Sequence, residues 1–257
     1  MEKEKFGELW EVMKRLRQEC PWDKEQTHDS IKAATLEETY EAVEAIDEKN
    51  WNDLKGELGD MLLHIVFHSV IAEGNHEFTL NEVIDGITQK LIRRHPHIFG
   101  EVKVKDSKEI EQNWEAIKMQ EGRKHLLEGV PKSMSSLLRA YRIQEKASKI
   151  GFDWKNKKDV WEKVEEEISE FKEAEASGNK EKIEDELGDL LFSLVNYSRF
   201  LKINPENALR RSNEKFIRRF TYIEDKINSS GGNIVDATFE EMDKLWEQAK
   251  EELNIDN

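Results

Sequence analysis

One acidic pattern occurs twice in this chain, and its internal spacing does not change. Glu37, Glu38 and Glu41 are followed, after fifteen intervening residues, by Glu57 and Asp60. Glu166, Glu167 and Glu170 are followed, after the same fifteen, by Glu186 and Asp189, an offset of 129 residues (166 minus 37). Other landmarks repeat with it. Trp22 pairs with Trp154, Lys90/Arg93/Arg94 with Lys215/Arg218/Arg219, and Trp114/Lys118 with Trp246/Lys250. Identities at nearly constant offset mark an internal duplication. Two copies are too few for a solenoid, so the chain must fold as tandem domains or as two halves of one bundle. Gly129-Val130-Pro131-Lys132-Ser133 falls where the pattern restarts, and we expect domains at 1–128 and 129–257.

Each copy reads as a series of helices. There are 4 Pro and 13 Gly in 257 residues, few interruptions for this length. Charged and hydrophobic residues each make up 37%, which suits helices with one buried stripe and one solvated face. Helical spacing predicts helices over Phe6–Gln18, from Asp29 or Ser30 to Lys49, over Asp53–Ala72, and from Thr79 or Asn81 to Arg94. A further helix carries Trp114 and Lys118. The second copy repeats the series over Ser136–Lys149, Asp159–Ala176, Glu181–Leu201 and Ala208–Asn228, with a last helix around Trp246. The stripe of the third helix is Leu54, Leu58, Met61, Leu62, Ile65, Val66 and Val70. The fold class is all-α, with two tandem helical bundles.

The acidic pattern has a chemical reading. Residues three or four apart share a helix face, so Glu38 and Glu41 point together, as do Glu57 and Asp60. The fifteen-residue gap holds the end of one helix, a turn and the start of the next. That is an antiparallel hairpin, which brings both carboxylate pairs to one place. Such a cluster repels itself unless a cation sits within it, and oxygen donors without Cys or His favour a hard divalent ion, above all Mg²⁺. The repeated Lys-x-x-Arg-Arg supplies groups that grip phosphate oxygens. Together these point to metal-assisted attack of water on a phosphoanhydride. No G-x-x-x-x-G-K-[ST] loop is present, which removes that route to triphosphate binding. The net charge of −15 opposes binding to nucleic-acid backbones. The single cysteine, Cys20, fits a reducing, cytoplasmic setting. Neither a leader peptide nor a membrane span is expected.

Plainer readings exist for each feature. One acidic cluster alone is most often a solvated helix face; the duplication and the basic motif argue against that here. Trp114 and Trp246 lie on apolar stripes and could simply pack. His64 and His68 have the i, i+4 spacing of a transition-metal pair. The second copy has Ser193 and Tyr197 there, so a structural role is expected.

The whole combination resembles the MazG family of nucleoside triphosphate pyrophosphohydrolases. The resemblance extends over nearly the entire chain, including the segment Cys20 to His28 and Arg93-Arg94-His95-Pro96-His97. It implies all-α domains, a homodimer, and hydrolysis of an NTP or dNTP to the monophosphate and diphosphate with Mg²⁺, for which Mn²⁺ could substitute. It implies metal ligands at Glu167, Glu170, Glu186 and Asp189, and at Glu38, Glu41, Glu57 and Asp60 in the first copy. Glu166, beside them, is implied either as a water-activating base or as a group that supports the ligands, with Glu37 its counterpart. Lys163, Lys182, Lys215, Arg218, Arg219 and Trp246 are implied in nucleotide binding, with Lys90, Arg93, Arg94, Trp114 and Lys118 as first-copy counterparts. Ala34 and Asp53 replace Lys163 and Lys182 in the first copy, so the second copy is the expected catalytic site. Two rivals are a dUTP- or dCTP-specific hydrolase of the same fold and a non-enzymatic helical dimerisation or metal-binding protein.

Overall fold

The computed structural model describes residues 2–106, 109–110, 113–114, 117, 121 and 125–253. Among them there are helices and turns and no strand. The chain divides into two compact units, Met1–Ser107 and Lys108–Asn257. Between the end of the first unit and the expected boundary after Glu128, most of the chain lies outside the described residues.

The first unit contains α1 (Glu2–Glu19), α2 (Pro21–Glu25), α3 (His28–Asp47), α4 (Trp51–Gly74), α5 (Leu80–Arg94) and α6 (Pro96–Phe99). Helix α3 starts earlier than its spacing predicts. Its cap is Thr27, whose side chain accepts from Ser30 N while the Ser30 side chain accepts from Thr27 N. Asn50 caps α4 by accepting from Asp53 N, and Lys49 takes the left-handed conformation (φ 57°) that reverses the chain between α3 and α4. The core holds Met13 of α1, Ile31 of α3, and Val66, Phe67, Val70 and Ile71 of α4, with Phe6, Leu9, Trp10 and Leu63 packed against it. The α4 stripe is covered unevenly, with Val66 and Val70 buried and Leu54, Met61 and Leu62 half-buried. Leu58 and Ile65 are exposed, as are Leu36 and Tyr40 of α3. Short α2 and α6 each begin with proline at the first helical position, where its missing N–H costs nothing.

The second unit contains α7 (Ser136–Lys149), α8 (Lys157–Ser177), α9 (Lys180–Phe200), α10 (Pro205–Ser229) and α11 (Phe239–Glu252). Gly178 ends α8 at φ 69°, a conformation that glycine adopts without strain. Asn179 then caps α9 by accepting from Glu181 N and Lys182 N. The result is a second antiparallel hairpin, α8 against α9, with Val160, Val164, Ala174 and Val195 buried in it. Helix α7 packs on α9 and α10, and α10 pairs with α11 around Ile223, Ile227 and Ala249. Among the described residues no helix is long and apolar enough to cross a membrane.

Candidate active site

Both hairpins deliver carboxylates to one place. In the first unit Glu38 and Glu41 of α3 and Glu57 of α4 offer oxygens that all lie within 4.8 Å of one another. In the second unit Glu167 of α8 and Glu186 and Asp189 of α9 do the same, also within 4.8 Å. Each trio contains three of the four ligands read from the sequence. The fourth stays in electrostatic contact. Asp60 raises the proton affinity of Glu38 and Glu57, and Glu170 is itself raised by burial and by Glu167 and Glu186. Glu38 and Glu57 are pushed up first by burial and then by neighbouring carboxylates, with Glu41 the foremost. This is the mutual repulsion that the motif implies.

The two units answer it differently. In the second, Lys163 Nζ lies 2.7 Å from Glu166 Oε1 and 2.7 Å from Glu167 Oε1. These bonds push the lysine well above its ordinary range, Glu166 contributing most. In the first unit Ala34 stands at that position, and His64 Nε2 comes within 3.8 Å of Glu38 Oε1. His64 belongs to a polar chain. Thr35 Oγ1 meets His64 Nδ1 at 2.9 Å and His68 Nε2 at 3.1 Å, and donates to Ile31 O at 3.0 Å. His68 Nδ1 meets His28 Nδ1 at 2.8 Å, and His28 Nε2 is 3.4 Å from Glu77 Oε2.

The second trio has a further property. Glu167 is only 6% exposed, and its Oε2 is buried with no hydrogen-bond partner. Native structures rarely leave such an atom unmatched, so the oxygen marks a place for a cation or a donor. All the oxygens of the trio are hard donors at a spacing one divalent ion can span. The residues therefore fit such an ion.

Glu167, Asp189 and Lys163 also line a cavity of about 830 Å³ in the second unit. Its walls are largely apolar, formed by Leu126, Leu127, Ile150, Phe152, Trp154 and Phe192. Lys146, buried, donates to Leu126 O at 3.2 Å and Glu128 O at 2.7 Å, which holds that segment in the wall. Gln144, Asn196 and the Asp153–Arg199 pair supply polar groups. The sequence pattern singles out none of these four as site residues: Gln144 reaches Phe192 and Asp153 reaches Arg199 across more than forty residues, and Asn196 joins them only through Arg199.

The basic motif lies elsewhere on the helices. Arg219 is buried on α10, its guanidinium 5.4 Å from the Trp246 ring, and the Trp246 ring meets Phe216 at 5.2 Å, tilted by 52°. Neither these residues nor Lys182, Lys215 and Arg218 line the cavity. Lys90, Arg93 and Arg94 occupy the C-terminal end of α5, and Lys90 is exposed. Trp114 is half-buried, and Lys118 lies outside the described residues.

The MazG nucleotide pyrophosphohydrolase domain matches this sequence twice, over residues 26–99 and 155–223. The two matches contain the two acidic hairpins. The nucleoside triphosphate pyrophosphohydrolase/pyrophosphatase MazG of Thermotoga maritima is 46% identical over 95% of this chain and 95% of its own length. The nucleoside triphosphate pyrophosphohydrolase of Escherichia coli K12 is 40% identical over 94% of this chain and 95% of its own. A crystal structure of a mazG-related protein from Thermotoga maritima aligns with 44% of this chain and 98% of its own, at 26% identity and a TM-score of 0.40.

Proposed function

The chain belongs to the MazG nucleotide pyrophosphohydrolase family, and from that premise we propose that it hydrolyses nucleoside and deoxynucleoside triphosphates to the monophosphate and diphosphate, with Mg²⁺, chiefly in its second domain, residues 129–257. The observation that carries this placement is the Glu167 carboxylate: buried, half unpartnered, and on the wall of a cavity large enough for a nucleotide. Glu167, Glu186 and Asp189, with Glu170 beside them, would hold the ion. When bound, a hard divalent ion offsets the carboxylates and polarises the phosphoryl oxygens.

The chain's own residues do the rest. Lys163, fixed by Glu166 and Glu167, presents its ammonium at the cavity edge, where the triphosphate's negative charge must come. Lys182 and the Lys215, Arg218 and Arg219 motif add positive potential. Glu166 takes the proton of the attacking water. As the water oxygen bonds to phosphorus, the α–β bridging bond breaks and diphosphate leaves. The first unit retains its carboxylates but has Ala34 and Asp53 in place of Lys163 and Lys182, so it holds metal and binds triphosphate more weakly.

The protein works as a homodimer in the cytoplasm. Exposed apolar side chains on both hairpins support self-association: Leu36, Tyr40, Leu58 and Ile65 in the first, Leu187 and Leu191 in the second. The lone Cys20 suits a reducing compartment, and the net charge of −15 makes nucleic acid an unsuitable partner.

The test is product analysis over a panel of NTPs and dNTPs, with and without Mg²⁺. Monophosphate and diphosphate from many substrates are expected. Turnover confined to dUTP or dCTP would indicate a base-specific enzyme, and diphosphate nucleoside with inorganic phosphate would refute the cleaved bond.

A further inference from the structure

The two acidic hairpins differ in what stands beside the carboxylates. At the second trio it is the Lys163 ammonium, 2.7 Å from Glu167. The first unit has Ala34 in that place and an imidazole instead. His64 of α4 is 9% exposed, and its Nε2 lies 3.8 Å from Oε1 of Glu38, a member of the first trio. The residue 129 positions on is Ser193, whose hydroxyl donates at 2.8 Å to the Leu190 carbonyl of its own helix. The imidazole therefore belongs to the first hairpin and has no counterpart in the second.

The far side of the ring sets its tautomer. His64 Nδ1 is 2.9 Å from Thr35 Oγ1, and that hydroxyl gives its proton to the Ile31 carbonyl. The nitrogen must then donate to the hydroxyl oxygen. Neutral His64 is left with a bare lone pair on Nε2, the atom that approaches Glu38. A separation of 3.8 Å is too long for a hydrogen bond, and two acceptors so placed repel. Both are also ligand atoms. Nitrogen and oxygen bound to one ion at about 2.1 Å can be up to about 4.2 Å apart, so a single ion fits between them. A ligating imidazole is usually held in this way, by a hydrogen bond at its other nitrogen. His68, one turn on, has no nitrogen to spare: Nε2 meets Thr35 and Nδ1 meets His28. The partner of His64 is a carboxylate and not the second histidine of the i, i+4 pair.

We propose that the first hairpin binds a transition-metal divalent ion such as Zn²⁺ in preference to Mg²⁺, through His64 Nε2 and Glu38, with Glu41 and Glu57 adding oxygens. Carboxylates alone suit Mg²⁺, and an imidazole nitrogen shifts the preference toward Zn²⁺ and its neighbours. The two hairpins then hold different ions although their carboxylates are the same. The assignment shares with the reading given above only the premise that the carboxylates take a divalent ion, and it does not depend on nucleotide hydrolysis.

The test is calorimetric titration of the full chain with Zn²⁺ in an excess of Mg²⁺, which fills sites built from oxygen alone. Zn²⁺ should still bind, and His64→Asn should weaken it by about tenfold or more. Asparagine can set an amide N–H where Nδ1–H stood, so the bond to Thr35 is kept and the ligand is lost. His28→Asn should leave the affinity unchanged. Failure of Zn²⁺ to bind against Mg²⁺ overturns the proposal, and so does full affinity in folded His64→Asn or its loss in folded His28→Asn. If far-UV circular dichroism shows that His64→Asn does not fold, nitrogen-15 histidine spectra decide. Zn²⁺ should shift one Nε2 whose ring keeps a protonated Nδ1, and the shift should persist in His28→Asn; a shift at an Nδ1, or none, overturns the proposal. Product analysis with Mg²⁺ alone tests the nucleotide reading separately, so the two can fail independently.

Discussion

The Lys163 ammonium lies 2.7 Å from Oε1 of Glu167, while Oε2 of the same buried carboxylate has no partner. One oxygen of this side chain is paired with an internal cation, and the other is open to the divalent ion proposed for the site. The consequences can be measured.

Glu167→Gln keeps the shape of the side chain and removes its charge. Diphosphate release should fall by about 100-fold or more, and the stabilisation by Mg²⁺ should shrink. Glu57→Gln, in the first unit, should leave most of the turnover. Steady-state kinetics with thermal melts in and out of Mg²⁺ check both.

Lys163→Met separates the two cations. On the proposed function the lysine would compete with the ion for Glu167 but attract the triphosphate. Metal affinity by calorimetry should hold or tighten, while KM for ATP should rise by about tenfold, equivalent to roughly 1.4 kcal/mol. Loss of metal binding would mean that the lysine builds the ion site.

Glu38, Glu57 and Glu170 are all held above their ordinary value of 4.5, chiefly by burial and then by neighbouring carboxylates. A carboxyl raised in the folded state binds its proton more tightly there. Its contribution to stability is full below the ordinary value and lost as pH rises through the raised one. Metal-free protein therefore bears repulsion at neutral pH that protonation relieves. Mg²⁺ should raise Tm more at about pH 7.5 than at about pH 5, as calorimetric scans would show; equal shifts would contradict the cluster.

His68 moves the other way, held below its ordinary value of 6.5 by burial first and then by His28 and His64. Its folded state resists the proton, so its stabilising contribution is present above the ordinary value and lost as pH falls through the depressed one. The first unit should weaken on acidification through that window. His68→Gln, which can still donate and accept, should flatten the slope in urea titrations across the range.

Lys146 is buried and donates to two carbonyls, those of Leu126 and Glu128. Lys146→Met leaves both acceptors without that donor. The second unit should lose about 2–3 kcal/mol in chemical denaturation, and KM for nucleotides should rise as the wall of the cavity loosens.

The hairpins were legible because they depend on local rules. Helical periodicity puts Glu38 with Glu41, and a gap of fixed length around a capped turn returns Glu57 to them. The spacing of Lys163 to Glu166 and Glu167, at i+3 and i+4, also encodes an ion pair, although the resemblance assigns the lysine to phosphate. What could not be read depends on distant contacts. Gln144 and Phe192 are 48 residues apart, and neither belongs to a motif. An apolar stripe says nothing about which part of it is covered, so Leu58 and Ile65 read like core and stand exposed. Residue type alone does not single out Thr27 as the α3 cap, because Asp29 and Ser30 are equally good cappers by type.

Thr35 has a single hydroxyl proton, and it goes to the Ile31 carbonyl. Both imidazoles that meet its oxygen must then be donors, His64 through Nδ1 and His68 through Nε2. Neutral His68 is thereby confined to one tautomer, and its bare Nδ1 has to receive the His28 Nδ1 proton. The donors converge on Thr35, His28 giving to His68 while His68 and His64 both give to the hydroxyl. Nitrogen-15 shifts of His68 would carry that polarity as a fixed spectroscopic signature of an intact first hairpin.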